Sequence, residues 1–239
     1  MKFAYLIEPP FNYRETNGTV TGCDVELARA VFERLGVKEF EMVETEFADL
    51  LPGLADGRWQ MTTGLFATVE RRQLASFSRP IWALADGLLV RKGNPRRLTG
   101  YSSVANDQGC ILAVIRDQFQ HRSAVEFGVP EARIRICETY SAAAEAVRNG
   151  TADAYASVGR AHMGFIERHP ELDLECVAVP AHEKPPAFGS FAFGKSDAEF
   201  RASVDAVLNA YIGSDQHRAM MATFGFGDVE IDLVQDPRD

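Results

Sequence analysis

The sequence predicts an α/β protein of two lobes, each a mainly parallel sheet flanked by helices, joined by a two-strand hinge. Three observations carry this. Strand-like and helix-like segments alternate along the chain, which favours parallel sheets with helical crossovers. At 239 residues the chain is long enough for two lobes of about 100 to 120 residues each. Two punctuated exits, near residues 91–95 (Lys92-Gly93-Asn94-Pro95) and 184–188 (after Lys184-Pro185-Pro186), suggest crossings between lobes. The expected division is residues 1–91 with 188–239 as a discontinuous first lobe and 92–187 as the second. A single continuous doubly wound sheet remains the alternative that this pattern allows.

The first strand is expected over Phe3–Ile7, closed by Pro9-Pro10, with a turn at Asn17-Gly18. Asp24 is expected to cap a helix whose Leu27, Val31 and Leu35 recur at helical spacing until Gly36. Phe47, Leu50, Leu51 and Leu54 repeat that spacing and predict a second helix, ending before Gly57. A strand from Trp59 to Thr63 leads into Gly64-Leu65-Phe66, and Thr68 is placed to cap a brief helix carrying Arg71. Beyond the strand Gly87–Arg91 the alternation repeats. Strands are expected near Ile111–Val114, Ile134–Cys137 and Ala154–Ser157, and helices near Gln118–Phe127, Ser141–Asn149 and Gly159–His169. A strand Phe188–Phe193 and two helices, roughly Asp197–Ile212 and Ser214–Phe224, precede the polar tail Gln235-Asp236-Pro237-Arg238-Asp239.

Composition narrows the function. A net charge of -9 argues against a nucleic-acid surface, which needs clustered Lys and Arg. No apolar run is long enough to span a bilayer. The N-terminus reads as a strand rather than a signal peptide, so the chain is expected either to be cytoplasmic or to have lost a leader. Cys23, Cys110, Cys137 and Cys176 form no CxxC pair and are expected to be small buried hydrophobes, with one disulfide left open. The histidines show no ligand spacing, and neither a metal nor a cofactor is expected.

Five residues fall at the mouths of predicted strands or the starts of predicted helices: Glu8, Phe11, Phe47, Phe66 and Arg71. An arginine at a helix start holds a carboxylate through two parallel charge-assisted hydrogen bonds, where backbone amides already favour an anion. Aromatic faces attract a cation, and an acid completes its pairing. Together these parts describe a receptor for a small zwitterion. Taken singly, each has a plainer reading: Arg71 a surface arginine beside Arg72, Glu8 an exposed loop acid, the three phenylalanines core.

Several motifs then bring the residues together. Pro9-Pro10-Phe11, Thr21-Gly22-Cys23-Asp24-Val25-Glu26-Leu27-Ala28, Arg34-Leu35-Gly36-Val37 and Leu51-Pro52-Gly53-Leu54 resemble the polar amino-acid class (family 3) of bacterial ABC-transporter solute-binding proteins. So do Thr68-Val69-Glu70-Arg71-Arg72 and Phe77-Ser78-Arg79-Pro80. The similarity runs through nearly the whole chain and is densest over residues 7–95. It implies the type II periplasmic-binding-protein fold, capture of a small ligand by lobe closure, a membrane permease as partner, a periplasmic location, a monomer, and no catalysis. It also implies that Arg71 holds the ligand carboxylate, assisted by backbone amides near Gly64.

Two departures speak against an ordinary amino acid. Phe66 stands where a Thr or Ser usually lies five residues before the arginine. The strand Ala154-Tyr155-Ala156-Ser157-Val158 lacks the terminal aspartate that usually binds the α-ammonium. With Glu8-Pro9-Pro10-Phe11, Glu46-Phe47 and Gly64-Leu65-Phe66, these departures resemble the ectoine-binding subgroup. There, residues matching Phe11, Phe47 and Phe66 enclose a cyclic amidinium and the acid matching Glu8 pairs with it. The middle aromatic is commonly Tyr. In the second lobe, Gln118 and Phe119 replace a usual Gly-Thr pair; Gln118 is expected to donate to a carboxylate or to lie on the surface, and Arg116 to add a cation. Two other functions remain in view. A cyclohexadienyl dehydratase on the same scaffold would need a general acid, for which Glu8 and Glu183 are the candidates. The other is a ligand-sensing domain of a receptor.

Overall fold

A computed structural model describes residues 1–235, so the tail residues 236–239 lie outside the described chain. The chain starts with β1 (Lys2–Tyr5), the short strands β2 (Tyr13–Arg14) and β3 (Val20–Thr21), α1 (Cys23–Arg34), β4 (Glu41–Glu44) and α2 (Leu50–Ala55). Next come β5 (Met61–Phe66), α3 (Val69–Leu74), β6 (Ser76–Phe77) and β7 (Trp82–Leu84). The middle of the chain holds β8 (Asp86–Arg91), α4 (Tyr101–Asn106), β9 (Leu112–Ile115), α5 (Phe119–Glu126) and β10 (Ile134–Cys137). It continues with α6 (Tyr140–Arg148), β11 (Ala154–Val158), α7 (Gly159–Arg168) and β12 (Leu174–Ala178). The last elements are β13 (Ala187–Phe193), α8 (Ala198–Tyr211), α9 (Asp215–Ala222) and α10 (Asp228–Gln235).

These elements form two compact units, Met1–Ala83 with the chain from Ala187 onward, and Leu84–Pro186. In the first, the sheet order is β4-β1-β5-β13-β6, with β7 also on β13. β4, β1 and β5 are parallel, whereas β13 is antiparallel to β5 and β6. α1 buries Val25, Ala28, Val31 and Phe32, a helical stripe that covers the sheet. It ends where Gly36 turns with φ +71°, a conformation that a Cβ would strain. Ala4, Leu6, Leu50, Leu54, Trp59, Leu65 and Phe77 build the opposing core, with Phe47 packed at its margin.

In the second unit the order is β10-β9-β11-β8-β12. β10, β9 and β11 are parallel, and β8 is antiparallel to both of its neighbours. Leu88, Val90, Tyr101, Val104, Leu112, Val114 and Ala156 form its core.

This arrangement corrects the expected boundary at residue 91. The chain leaves the first unit between Ala83 and Leu84, and β8 lies inside the second sheet. The Gly93-Asn94 signal is a turn at the end of β8, with φ of +81° and +43°. Turn chemistry reports a change of chain direction, and it does so whether the next segment stays in the unit or leaves it. The second expected boundary, between residues 187 and 188, falls one residue from the observed return between Pro186 and Ala187. Elements with weak patterning were not expected: the edge strands β4 and β12, the short polar α4, and α10. The four cysteines are free thiols, three buried and Cys176 partly so. Among the described residues no helix is long and apolar enough to cross a membrane.

Candidate functional site

Because β4, β1 and β5 run parallel side by side, their carboxyl ends reach one edge of the first sheet. Open α/β sheets bind ligands at that edge. Glu8 and Phe11 lie in the loop after β1, Phe47 begins the turn after β4, Phe66 ends β5, and Arg71 follows in α3. The loop after β1 is tight: the Glu8 carbonyl accepts from the Phe11 and Asn12 amides at 3.0 and 3.1 Å, and the Glu8 amide donates to the Asn12 carbonyl. The Pro9–Pro10 bond within it is cis. Glu8 is 9% exposed, so it is not a solvated loop acid.

Arg71 is built in from both ends. The Thr68 hydroxyl, as expected from the sequence, caps α3 by accepting from the Arg71 amide at 3.2 Å. The guanidinium turns back across the strand end: Nη1 donates to the Phe66 carbonyl at 3.1 Å, and Cζ sits 5.2 Å from the centre of the Phe47 ring. The bond and the ring contact together fix the plane of the guanidinium fork.

The Gly64 amide donates to Asp24 Oδ2 at 2.7 Å, inside the protein. Asp24 in turn is not the cap of α1. Gly22 holds that position, and Asp24 is the second residue of the helix, 1% exposed. Its carboxylate accepts from Thr63 Oγ1 at 2.5 Å as well as from Gly64, and on its other oxygen from Trp82 Nε1 at 3.0 Å and Cys23 Sγ at 3.6 Å. Asn12 Nδ2 donates to Thr63 Oγ1 at 2.8 Å, extending the network to the loop that bears Glu8 and Phe11. Burial pushes the Asp24 carboxyl above its usual range, and the hydrogen bonds it accepts pull the other way.

Trp82, which sequence reasoning missed, touches two of the expected ligand residues. Its ring centre lies 5.5 Å from both Phe11 and Phe66. The indole occupies a slot that two glycines leave open. A Cβ on Gly64 would come within 2.6 Å of it, and one on Gly189 within 1.9 Å. No local signal marks Trp82, because the glycines that admit it lie on other strands.

In the second unit, Gln118 precedes α5 without capping it and is 5% exposed, with Oε1 lacking a hydrogen-bond partner. It is therefore not the surface residue that one reading allowed. Arg116 is engaged elsewhere, in an ion pair with Glu138 at 2.6 Å. The Phe119 ring lies 4.5 Å from Lys184 Nζ, and the Tyr101 ring lies 5.4 Å from it. That ammonium donates to Ser123 Oγ at 2.7 Å and pairs with Asp86, which is 3% exposed and stands across from Val158 in the β8–β11 register. The carboxylate missing from the end of β11 thus has a counterpart on the neighbouring strand, but Lys184 has taken its charge. Glu183, a candidate acid, accepts from the Ser102 amide at 3.3 Å near the start of α4.

The model of the bacterial extracellular solute-binding proteins, family 3, matches residues 2–228. A probable amino-acid ABC transporter periplasmic-binding protein of Sinorhizobium fredii is 31% identical over 238 residues, covering 96% of this chain and 78% of that protein. The cyclohexadienyl dehydratase of Pseudomonas aeruginosa is 26% identical over 204 residues, covering 84% of this chain and 72% of the enzyme. Among solved structures, EhuB in complex with hydroxyectoine superposes with a TM-score of 0.87 at 25% identity, covering 99% of this chain and 94% of that one. The fold is the two-lobed type II periplasmic-binding-protein fold, and the chain belongs to the bacterial extracellular solute-binding proteins of family 3.

Proposed function

We propose that this protein captures a compact zwitterion, a carboxylate bearing a ring-delocalised cation of the ectoine kind, outside the cytoplasmic membrane for uptake through an ABC-transporter permease. The observation that carries the reading is Arg71, braced on the Phe66 carbonyl and the Phe47 ring at the strand edge that also bears Glu8 and Phe11. Arg71 takes the carboxylate. Phe11, Phe47 and Phe66 face the cation, at about 0.5–2 kcal/mol per ring for a weakly hydrated one, and Glu8 completes the charge pairing. Within the second unit, Gln118 and Phe119 are the residues we assign to ligand contact. Gln118 brings a buried acceptor without a partner, suited to a ligand N–H. The likeness to EhuB supports the ligand class. The pairing of Lys184 with Asp86 supports it too, since it leaves no spare carboxylate there for a free α-ammonium.

No catalysis is proposed. A dehydratase needs a general acid over its substrate; of the two candidates, Glu183 is engaged at the start of α4 and Glu8 is assigned here to the ligand cation. Turnover of prephenate or arogenate to a phenyl product would reverse this. The direct test is a thermal-shift screen of refolded, ligand-free protein against ectoine, hydroxyectoine, proline betaine and the standard amino acids. A ligand at about 100 times its Kd adds roughly 2.7 kcal/mol, a shift of about 5–10 °C for a chain of this size. Ectoines alone should give it. Arg71→Ala and Glu8→Gln should each weaken binding by about ten- to 150-fold, the worth of one charge-assisted bond of about 1.5–3 kcal/mol. Retention of wild-type affinity by either variant removes that residue from its role.

A further inference from the structure

The aromatic part of the candidate site does not stand alone. Phe11 follows β1 and Phe66 ends β5, and neither strand fixes the orientation of a ring at its own terminus. Trp82 contacts both, tilted by 46° against Phe11 and nearly perpendicular, at 79°, to Phe66. Its own freedom is removed in two ways. The benzo ring lies over the backbone of β5 and β13 at Gly64 and Gly189, where any side chain would collide with it. The pyrrole edge donates to Asp24, whose other oxygen holds Thr63 and Gly64 on β5. One buried carboxylate therefore ties α1, β5 and β7 together, and through Thr63 and Asn12 it reaches the loop carrying Phe11.

We infer that Trp82 and Asp24 are positioning residues for ligand selectivity: the tethered indole is the plate against which Phe11 and Phe66 are set. This deepens the proposed function and rests on its assignment of those two rings. The physical reason is geometric. Attraction between a ring face and a cation falls off unless the cation lies over the face within about 6 Å. A pair of rings held at fixed angles therefore accepts a planar cation of one thickness and disfavours a bulky tetrahedral one, whereas rings free to tilt accept both. Asp24 is the element that holds the plate, because Trp82 Nε1–H has a defined acceptor only while the carboxylate stays in its cradle.

The test compares wild type, Trp82→Phe and Asp24→Asn by calorimetric titration with ectoine and with proline betaine, which carry planar and tetrahedral cations respectively. Trp82→Phe keeps an aromatic ring but removes the donor and part of the plate, and it serves where Asp24→Asn folds poorly. Both variants should lose about tenfold in the ratio of ectoine to proline betaine affinity. A merely structural role would weaken both ligands alike. If ectoine binds wild type and the ratio stays within twofold in the variants, the positioning role is overturned while the ligand class stands. If ectoine does not bind, the ligand class falls, and the role is judged on whichever amino acid does bind. A tenfold change in the ratio of its affinity to that of the next-best ligand of the panel in Trp82→Phe then upholds the role, and a ratio within twofold of wild type overturns it. A protein that binds nothing in the panel overturns both.

Discussion

Each unit buries an aspartate, and the two solve the same physical problem in opposite ways. Asp24 in the first unit is surrounded by neutral donors: a hydroxyl, a backbone amide, an indole and a thiol. Asp86 in the second is held by the Tyr101 hydroxyl at 2.6 Å, the Gln120 amide at 2.9 Å and the Lys184 ammonium. A cradle of neutral donors fixes directions and links elements, so it suits a place where rings must be oriented. An ion pair adds charge balance but is strongly destabilised when one member is lost. In the second unit it also joins the two ends of the inserted segment, since Asp86 and Lys184 lie within three residues of the crossings at Leu84 and Pro186.

The largest expected effect tests whether the difference matters. Lys184→Met leaves Asp86 with neutral donors only, the situation of Asp24. Breaking a buried pair costs about 3–5 kcal/mol, and urea unfolding should show a loss of that order. A loss below about 1 kcal/mol would mean that neutral donors suffice, and the contrast between the two sites would collapse.

Asp24→Asn comes next. One of its two acceptors becomes an NH2 group facing two donors, and stability should fall by about 1–3 kcal/mol in the same assay. Gly189→Ala provides a control that leaves the carboxylate intact: it forces the indole off its slot, and overpacking of this kind costs about 1–3 kcal/mol.

The smallest effect concerns pH, where each unit buries a neutral histidine. His162 is pushed down to about 3 by burial, with Nε2–H donating to the Gly87 carbonyl and Nδ1 accepting from the Tyr140 hydroxyl at 2.6 Å. His217 is pushed down to about 4 by burial and by the nearby Arg218 and Arg79. The unfolded chain protonates these rings near 6.5 and the native one does not, so their contribution is full above about 6.5 and declines as pH falls towards 3 to 4. Asp24 acts with the opposite sign: its raised native pKa adds stability only as pH falls through that value. The melting temperature should therefore drop between pH 6.5 and 4, and His162→Gln, which retains a donor and an acceptor, should flatten the slope. An unchanged slope would mean that the acid sensitivity arises elsewhere.

Local signals were legible where the physics is local. The Thr68 cap, the helical stripe of α1, the helix near Ser141–Asn149, the strand Ile134–Cys137 and the position of Arg71 all follow from patterns over a few residues. Asp24 was misread because its placement near a helix start satisfies the capping pattern, and only the packing of β5 and β7 against α1 shows where the carboxylate goes. The Gly93-Asn94 turn misplaced the boundary because a turn looks the same inside a unit as between units. The amide of Gly64 and its missing side chain serve Asp24 and Trp82, contacts that no short window of sequence shows.

By itself the sequence determined the alternation of strands and helices, the family, and the strand-edge positions of Glu8, Phe11, Phe47, Phe66 and Arg71. Periodicity, caps and motifs encode these within short windows. Only the tertiary structure decided what supports them: the indole of Trp82 on Gly64 and Gly189, the four donors around Asp24, and the ammonium of Lys184 against Asp86. Those contacts join residues far apart in the chain, and their energies come from burial and pairing that exist only once the sheets have formed.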